Sequence, residues 1–341
     1  MSEASTRVVS FEPVPGQSHP SNRSPGGRVL DLMIESRPVL LGVMILVLGT
    51  YMAVVHGTRF INEANLASVL LDAAQAGILT IGMTILMIGG AIDLSIGAVL
   101  SLAGIVAGIM VKEYQIDVAT AMLAGLAVGA VCGVVNGLIV TRLHINALIA
   151  TLATMGIYRG VAQIISGTGE TTIGHGFSWL GQSDFLAIQY PFWIMFGLVL
   201  LFTFLTSRSR FFRQFYFIGG NERAARLSGI RSDRVIFAGF VLVCTLAALA
   251  GLLTASRLDS AIISAGTGVE LKVITAAVLG GAALKGGSGS IPGAFLGVIF
   301  IAMLQNALII SRVPVFYQQI VVGLVLIAAV STEFLQSRRG R

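Results

Sequence analysis

Residues 207–234, SRSRFFRQFYFIGGNERAARLSGIRSDR, form the one long polar break in an otherwise oily chain. Apolar runs flank it at about 190–206 and 235–255, each close to the ~20 residues a helix needs to cross a bilayer. The break carries seven arginines (208, 210, 213, 223, 226, 231 and 234) against Glu222 and Asp233. A short helix is written inside it. Asn221 has N-cap chemistry, Glu222 suits the positive end of the helix dipole, and Gly229 suits a C-terminal stop. Residues 222–228 span about 10 Å as a helix, too short to be stable alone. A membrane surface or another protein must therefore hold it.

Working outward, the 341 residues are 55% hydrophobic and 11% charged, with mean hydropathy +0.88. A soluble domain is about a quarter charged. The apolar runs are of helical length rather than alternating strands of about ten residues, so a helical integral membrane protein is expected. The 41 glycines fit close-packed membrane helices. The pI near 9.7 does not indicate nucleic acid, because the positive charge flanks the membrane runs. Cys132 and Cys244 fall inside apolar spans and read as buried thiols. Residues 1–36 are polar, with Pro13, Pro15, Pro20 and Pro25, and are expected to be a disordered tail rather than a secretory signal.

Hydropathy places ten crossings at about 38–56, 66–88, 96–111, 118–140, 147–165, 190–206, 235–255, 271–284, 291–310 and 315–333. The fold class is all-α and polytopic, with about ten transmembrane helices, glycine-rich breaks and both termini cytoplasmic. That orientation puts 16 Lys and Arg inside and five outside, as the positive-inside rule requires. The domains are then a tail at 1–36, a transmembrane domain at 37–335 with its cytoplasmic loop at 207–234, and a short tail at 336–341. Gly89-Gly90-Ala91 and Gly280-Gly281-Ala282 each precede an apolar span and suggest related halves, although chance in a glycine-rich chain explains them equally well.

Residues 280–290, GGAALKGGSGS, lack the residue order of a phosphate-binding loop and read as a flexible turn. No metal cluster or nucleophilic triad stands out among His56, His144, His175 and the serines. Polar groups inside the spans are costly and are candidates for function. Asp93 with Ser95 reads as the N-cap of the third span, with a solute or proton role as the sharper alternative. Asp72, Asn136, Thr151, Thr154 and Arg159 are candidates for a polar pathway, each also explained by interhelical hydrogen bonds. Arg159 can simply snorkel to the interface. The segment at 257–270, RLDSAIISAGTGVE, is gate-like, with Glu270 as a gate or receptor contact or a solvated loop residue. In the cytoplasmic helix, Ala224, Ala225, Leu227 and Ser228 make a small face, better suited to a protein groove than to lipid. Phe211, Phe212, Phe215, Tyr216 and Phe217 are the more membrane-like part.

Here the residues resemble a known family. GGNERAARLSGI at 219–230 resembles the coupling-helix signature of the ribose-type ABC importer permeases. IDLSIGA at 92–98, ALIATLATMGIYRG at 147–160, SRLDSAIISAGTGVEL at 256–271 running into AAVLGGAALKGGSGSIPGAFLG at 276–297, and FYQQIVVGLVLIAAV at 316–330 agree in the same order. The similarity runs from about residue 38 to the end. It implies ten helices in a bacterial inner membrane and two permease subunits, a homo- or heterodimer, around a pathway. It also implies cytoplasmic ATPase subunits and a periplasmic solute-binding protein. ATP and magnesium would bind the ATPase, leaving this chain without a cofactor and without catalysis of its own. Gly220, Asn221, Glu222, Ala225, Ser228 and Gly229 would form the ATPase-docking element. Two positions depart from the family: Ala91 stands where Gly is usual, and Lys272 where an acidic residue is common. An ion-coupled secondary transporter, with Asp93 or Asp72 as proton carrier, is the alternative from another class.

Overall fold

The computed structural model describes residues 37–167, 170–174 and 176–339. The tail expected at 1–36, His175, and residues 340–341 lie outside the described residues. Every apolar run is a helix: α1 (Arg37–His56), α3 (Glu63–Ile88), α4 (Ile96–Lys112), α5 (Val118–Thr141), α6 (Ala147–Ser166), α8 (Tyr190–Arg208), α11 (Ser232–Leu258), α12 (Val269–Leu279), α13 (Ile291–Ile310) and α14 (Val315–Arg339). Short helices α2 (Thr58–Ile61), α7 (Trp179–Gln182), α9 (Arg210–Gly220) and α10 (Glu222–Leu227) lie in the connections. Seven helices among the described residues are long and apolar enough to cross a membrane; α4, α12 and α14 are not among them. Helix α12 has eleven residues, so it spans about 16 Å, half the hydrocarbon thickness. The span expected at 271–284 is therefore a half-helix that stops at Gly280.

Among the described residues, four strands of two or three residues each lie in the connections and leave the all-α class unchanged. β1 (Glu170–Thr172) pairs antiparallel with β4 (Ser260–Ile262), and β2 (Asp184–Phe185) with β3 (Ile188–Gln189). Leu186 and Ala187, both at positive φ, make the tight turn between β2 and β3. Two or three residues per strand carry too little alternation to be read in a sequence.

Helices α3 and α11 form the centre and are mostly buried, whereas α1, α5, α6 and α8 turn large apolar side chains outward. Leu46, Leu123, Ile149, Ile164 and Phe204 make up part of that oily exterior, which fits lipid rather than water. Helix α4 is apolar all round and buried along almost its whole length. Close approach of backbones holds the centre together. On α5, Gly125, Gly129, Gly133 and Gly137 recur every four residues and form one stripe against α11. A methyl group added at Gly133 would lie 2.6 Å from Phe240 O, and one at Gly129 2.7 Å from Cys244 O. In lipid, where burial of apolar area does not drive helix association, such close packing is the main attraction. Replacing Gly133 by leucine is expected to destabilise the bundle by about 1–3 kcal/mol or more. Thermal unfolding of the purified protein in detergent checks this; an unchanged midpoint would contradict the packing account.

The two Gly-Gly-Ala breaks share one backbone motif. At the end of α3, Gly90 has φ +84°, its N–H donates to Met87 O (2.8 Å), and Ala91 N–H donates to Leu86 O (3.1 Å). At the end of α12, Gly281 has φ +99°, its N–H donates to Val278 O (3.0 Å), and Ala282 N–H donates to Ala277 O (2.9 Å). Both are Schellman endings, which require a residue that tolerates the left-handed region. The faint repeat in the sequence is thus a repeated helix stop.

Candidate functional site

The short helix α10 is built as its residues require. Asn221 Oδ1 accepts from Ala224 N–H at 3.0 Å, capping the N-terminus. Ser228 is the C-cap, Gly229 follows at φ +84°, and Ile230 N–H reaches back to Ala225 O at 3.0 Å. Arg226 bridges Glu222 Oε1 and Asp233 Oδ1, both at 2.8 Å. Hydrogen bonding to Glu222, and then the Asp233 charge, raises the Arg226 guanidinium above its ordinary value. These pairs are exposed, so they orient α10 more than they stabilise it. Ala225 is buried against the protein's own core, while Leu227 is 84% exposed. Of the small face expected to dock outward, Ala225 anchors α10 inward; Ala224, Leu227 and Ser228 remain outside with Glu222.

The aromatic lead-in is itself a helix, α9, which hydropathy alone does not reveal. Phe215 and Ile218 are buried in the main core, while Phe217 stays exposed. Tyr216 OH donates to Gly289 O at 3.0 Å. The corner between α9 and α10 then meets the first of these breaks and, past the second, the glycines at 286–287, backbone on backbone. Gly287 N–H donates to Ile88 O at 2.8 Å. A methyl group at Gly219 would overlap Ile88 O and Gly287 N; one at Gly286 would lie 2.9 Å from the Cα atoms of Gly90 and Gly219. The corner, the end of α3 and the loop after α12 are therefore packed together as one joint.

A second polar group lies inside the bundle. Asp93 Oδ1 accepts from Ser95 N–H (2.8 Å) and Ser95 Oγ (2.6 Å). Asp93 Oδ2 accepts from Asn136 Nδ2 (2.9 Å) and Cys244 Sγ (3.3 Å). Asn136 Oδ1 accepts from Tyr158 OH at 2.9 Å. Thr151 Oγ1 accepts from Leu94 N–H at 3.1 Å, and Thr154 Oγ1 donates to Thr151 O at 3.2 Å. Asp93, Ser95, Asn136 and Thr151 are all 0% exposed. The Asp oxygen meets a backbone N–H just before α4, close to the cap read from the sequence. The network also ties α4, α5, α6 and α11 together, a span of contacts that no local motif announces.

The remaining candidates lie towards the opposite end. Arg159 Nη1 donates to Ile263 O (2.8 Å) and Thr267 Oγ1 (3.1 Å), so it pins the gate-like segment rather than only reaching for an interface. Asp72 pairs with Arg257 at 3.1 Å. Glu270, in the first turn of α12, lines an open cavity of about 560 Å³ with several glutamines. The sequence reading passed over those glutamines.

The fold and site together define a multi-pass helical membrane protein in which a short capped helix follows a corner packed against the end of α3 and the loop after α12. Residues 65–330 match the family described as "Branched-chain amino acid transport system / permease component", and the chain belongs to that family. The ribose import permease protein RbsC of Escherichia coli (strain K12) is 37% identical over 305 residues, covering 88% of this chain and 93% of the relative. The ribose import permease protein RbsC of Bacillus subtilis (strain 168) is 39% identical over 304 residues, with the same coverage. The autoinducer 2 import system permease protein LsrC of Salmonella typhimurium is 36% identical over 273 residues, covering 79% of this chain and 78% of the relative. No solved structure matches. The chain is thus an inner-membrane permease subunit of an ABC importer, and not an enzyme.

Proposed function

We propose that this permease carries a small sugar or sugar-like solute inward as one of two permease subunits. A periplasmic binding protein delivers the solute, and a cytoplasmic ATPase subunit, which holds ATP and magnesium, docks on α10. Two cytoplasmic termini frame the reading, with the half-helix α12 and the loop after it counted together as one of ten passes, and the 16-to-5 split of Lys and Arg supports it. The observation that carries it is the joint. Helix α10 is capped at both ends, displays Leu227, and follows directly on the corner at 219–220, whose backbone packs on the end of α3 and on Gly286–Gly287 after α12. In this reading a partner that moves α10 moves that corner, and with it the end of α3 and the loop after α12. ATP-driven closure of the partner selects one of two arrangements, which requires that it bind them unequally. Asp93, Ser95, Asn136 and Thr151 hold the bundle together in this reading, and Glu270 faces the pathway.

The test is ATP-dependent uptake by the assembled complex in proteoliposomes. Gly229→Pro is expected to abolish uptake while leaving the protein in the membrane, because proline cannot adopt φ +84°. Glu222→Arg, which reverses charge at the positive end of α10 and breaks the pair with Arg226, should do the same. Normal uptake in both variants would sink the coupling role. Uptake that follows a proton gradient and needs no ATP would favour the ion-coupled alternative. Orientation has its own check: a cysteine at Ser209 should resist an impermeant thiol reagent added outside the cell.

A further inference from the structure

We propose that the solute passes through the cavity between α3, α12, α13 and α14. Its wall of Gln75, Thr275, Gln305, Gln318, Gln319 and Glu270 binds a neutral, hydroxyl-rich solute there. This inference rests on the importer reading and assigns the pathway to residues outside the buried Asp93 network. The cavity, about 560 Å³, is of the size small-molecule sites have. Its polar wall is costly inside apolar helices unless something wet or hydroxylated fills it. Gln318 Nε2 donates to Val313 O at 3.2 Å. The carboxamides of Gln75, Gln305 and Gln319 have no protein partner among the described residues.

The chemistry of the wall selects the ligand class. Each carboxamide offers donors and an acceptor together, which is what adjacent hydroxyl groups need. Glu270 and Lys272 both line the cavity and offset one another, so neither an anion nor a cation finds a net counter-charge. The cavity also has an approach. A second cavity of about 320 Å³ shares Gln75 and Gly266 with the first and is lined by Arg257, the partner of Asp72. The segment that Arg159 pins lines both cavities. In contrast, Asp93, Asn136 and Thr151 line neither cavity. Gln319 is exposed beside Gly323 on the open flank. Hydrocarbon supplies no hydrogen bonds, so in the dimer this flank faces the second subunit.

Cysteine labelling tests the route without knowing the solute. Cys132 and Cys244 are buried and give a quiet background. In the assembled complex, Thr275→Cys, Gln305→Cys and Gln319→Cys should react with an anionic methanethiosulfonate reagent at least about tenfold faster than Ile149→Cys on the oily exterior, a gap of roughly 1.4 kcal/mol in barrier. Equal rates would overturn the pathway. Gln305→Leu and Gln319→Leu should each lower uptake of radiolabelled ribose by about fivefold to tenfold, the value of one lost hydrogen bond, with the amount of complex unchanged. Normal ribose uptake in both variants would overturn the binding role. If the wild-type complex takes up no ribose, the sugar reading fails, while the labelling still decides the route.

Discussion

Replacing Gly219 by valine is expected to abolish uptake and to strip the α9–α10 corner from the bundle. The position has no room: a Cβ there meets Ile88 O and Gly287 N, which are backbone atoms that cannot rotate away. Those atoms are also the two ends of the Gly287–Ile88 hydrogen bond. Separating them leaves a buried donor and acceptor unpaired, at about 1–3 kcal/mol for each group, and overpacking adds about 1–3 kcal/mol. A large loss of folded protein in detergent, read by thermal unfolding, is the expected result. Gly220 gives the contrast, because an added methyl there meets nothing within 4 Å. Gly220→Leu should leave the fold intact and impair only coupling. If Gly219→Val folds and transports normally, the backbone joint is not what links the α9–α10 corner to the helix ends it packs on.

Asp93→Leu is expected to be the most damaging change inside the bundle, at about 3–5 kcal/mol, because a buried carboxyl group held by four donors is removed and the donors stay unpaired. Ser95 N–H, Ser95 Oγ, Asn136 Nδ2 and Cys244 Sγ would all lose their acceptor in a space no water reaches. Asp93→Asn keeps the shape but turns an amide nitrogen towards one of those donors, and should fall between wild type and leucine. The readout that separates a structural clasp from a proton carrier is parallel measurement of folded yield and uptake. A clasp loses both together in Asp93→Asn. A carrier would keep the fold and lose uptake alone, and that outcome would reject the clasp.

How far the sequence could be read depends on how far each signal reaches along the chain. The span at 291–310 coincides with α13, because twenty uncharged, mostly apolar residues run between Ser290 and Ser311. Asn221 and Gly229 were legible because caps act on residues three to five positions away. Helix α9 was hidden because its arginines pull mean hydropathy down, although Phe215 and Ile218 sit three apart on one face. The pathway wall was hidden for a different reason. Gln75, Gln305 and Gln319 are uncharged residues in separate apolar runs, and nothing local distinguishes them from helix-to-helix hydrogen-bond partners.

The sequence by itself therefore determined the class of protein, the helical runs, the charge bias across the membrane and the short capped helix between them. These follow from hydropathy, charge and propensity, which are properties of neighbouring residues. Only the tertiary structure decided what that helix rests on. It seats the corner at 219–220 on residues 88–90 and 286–287, far apart in the chain, through backbone contacts that a side chain at Gly219, Gly286 or Gly287 would block. It likewise closed Asp93 into a clasp and gathered scattered glutamines around a cavity. The reason is physical. In a membrane, helices find each other by close packing and hydrogen bonds between distant segments, and those pairings are not written in any single stretch.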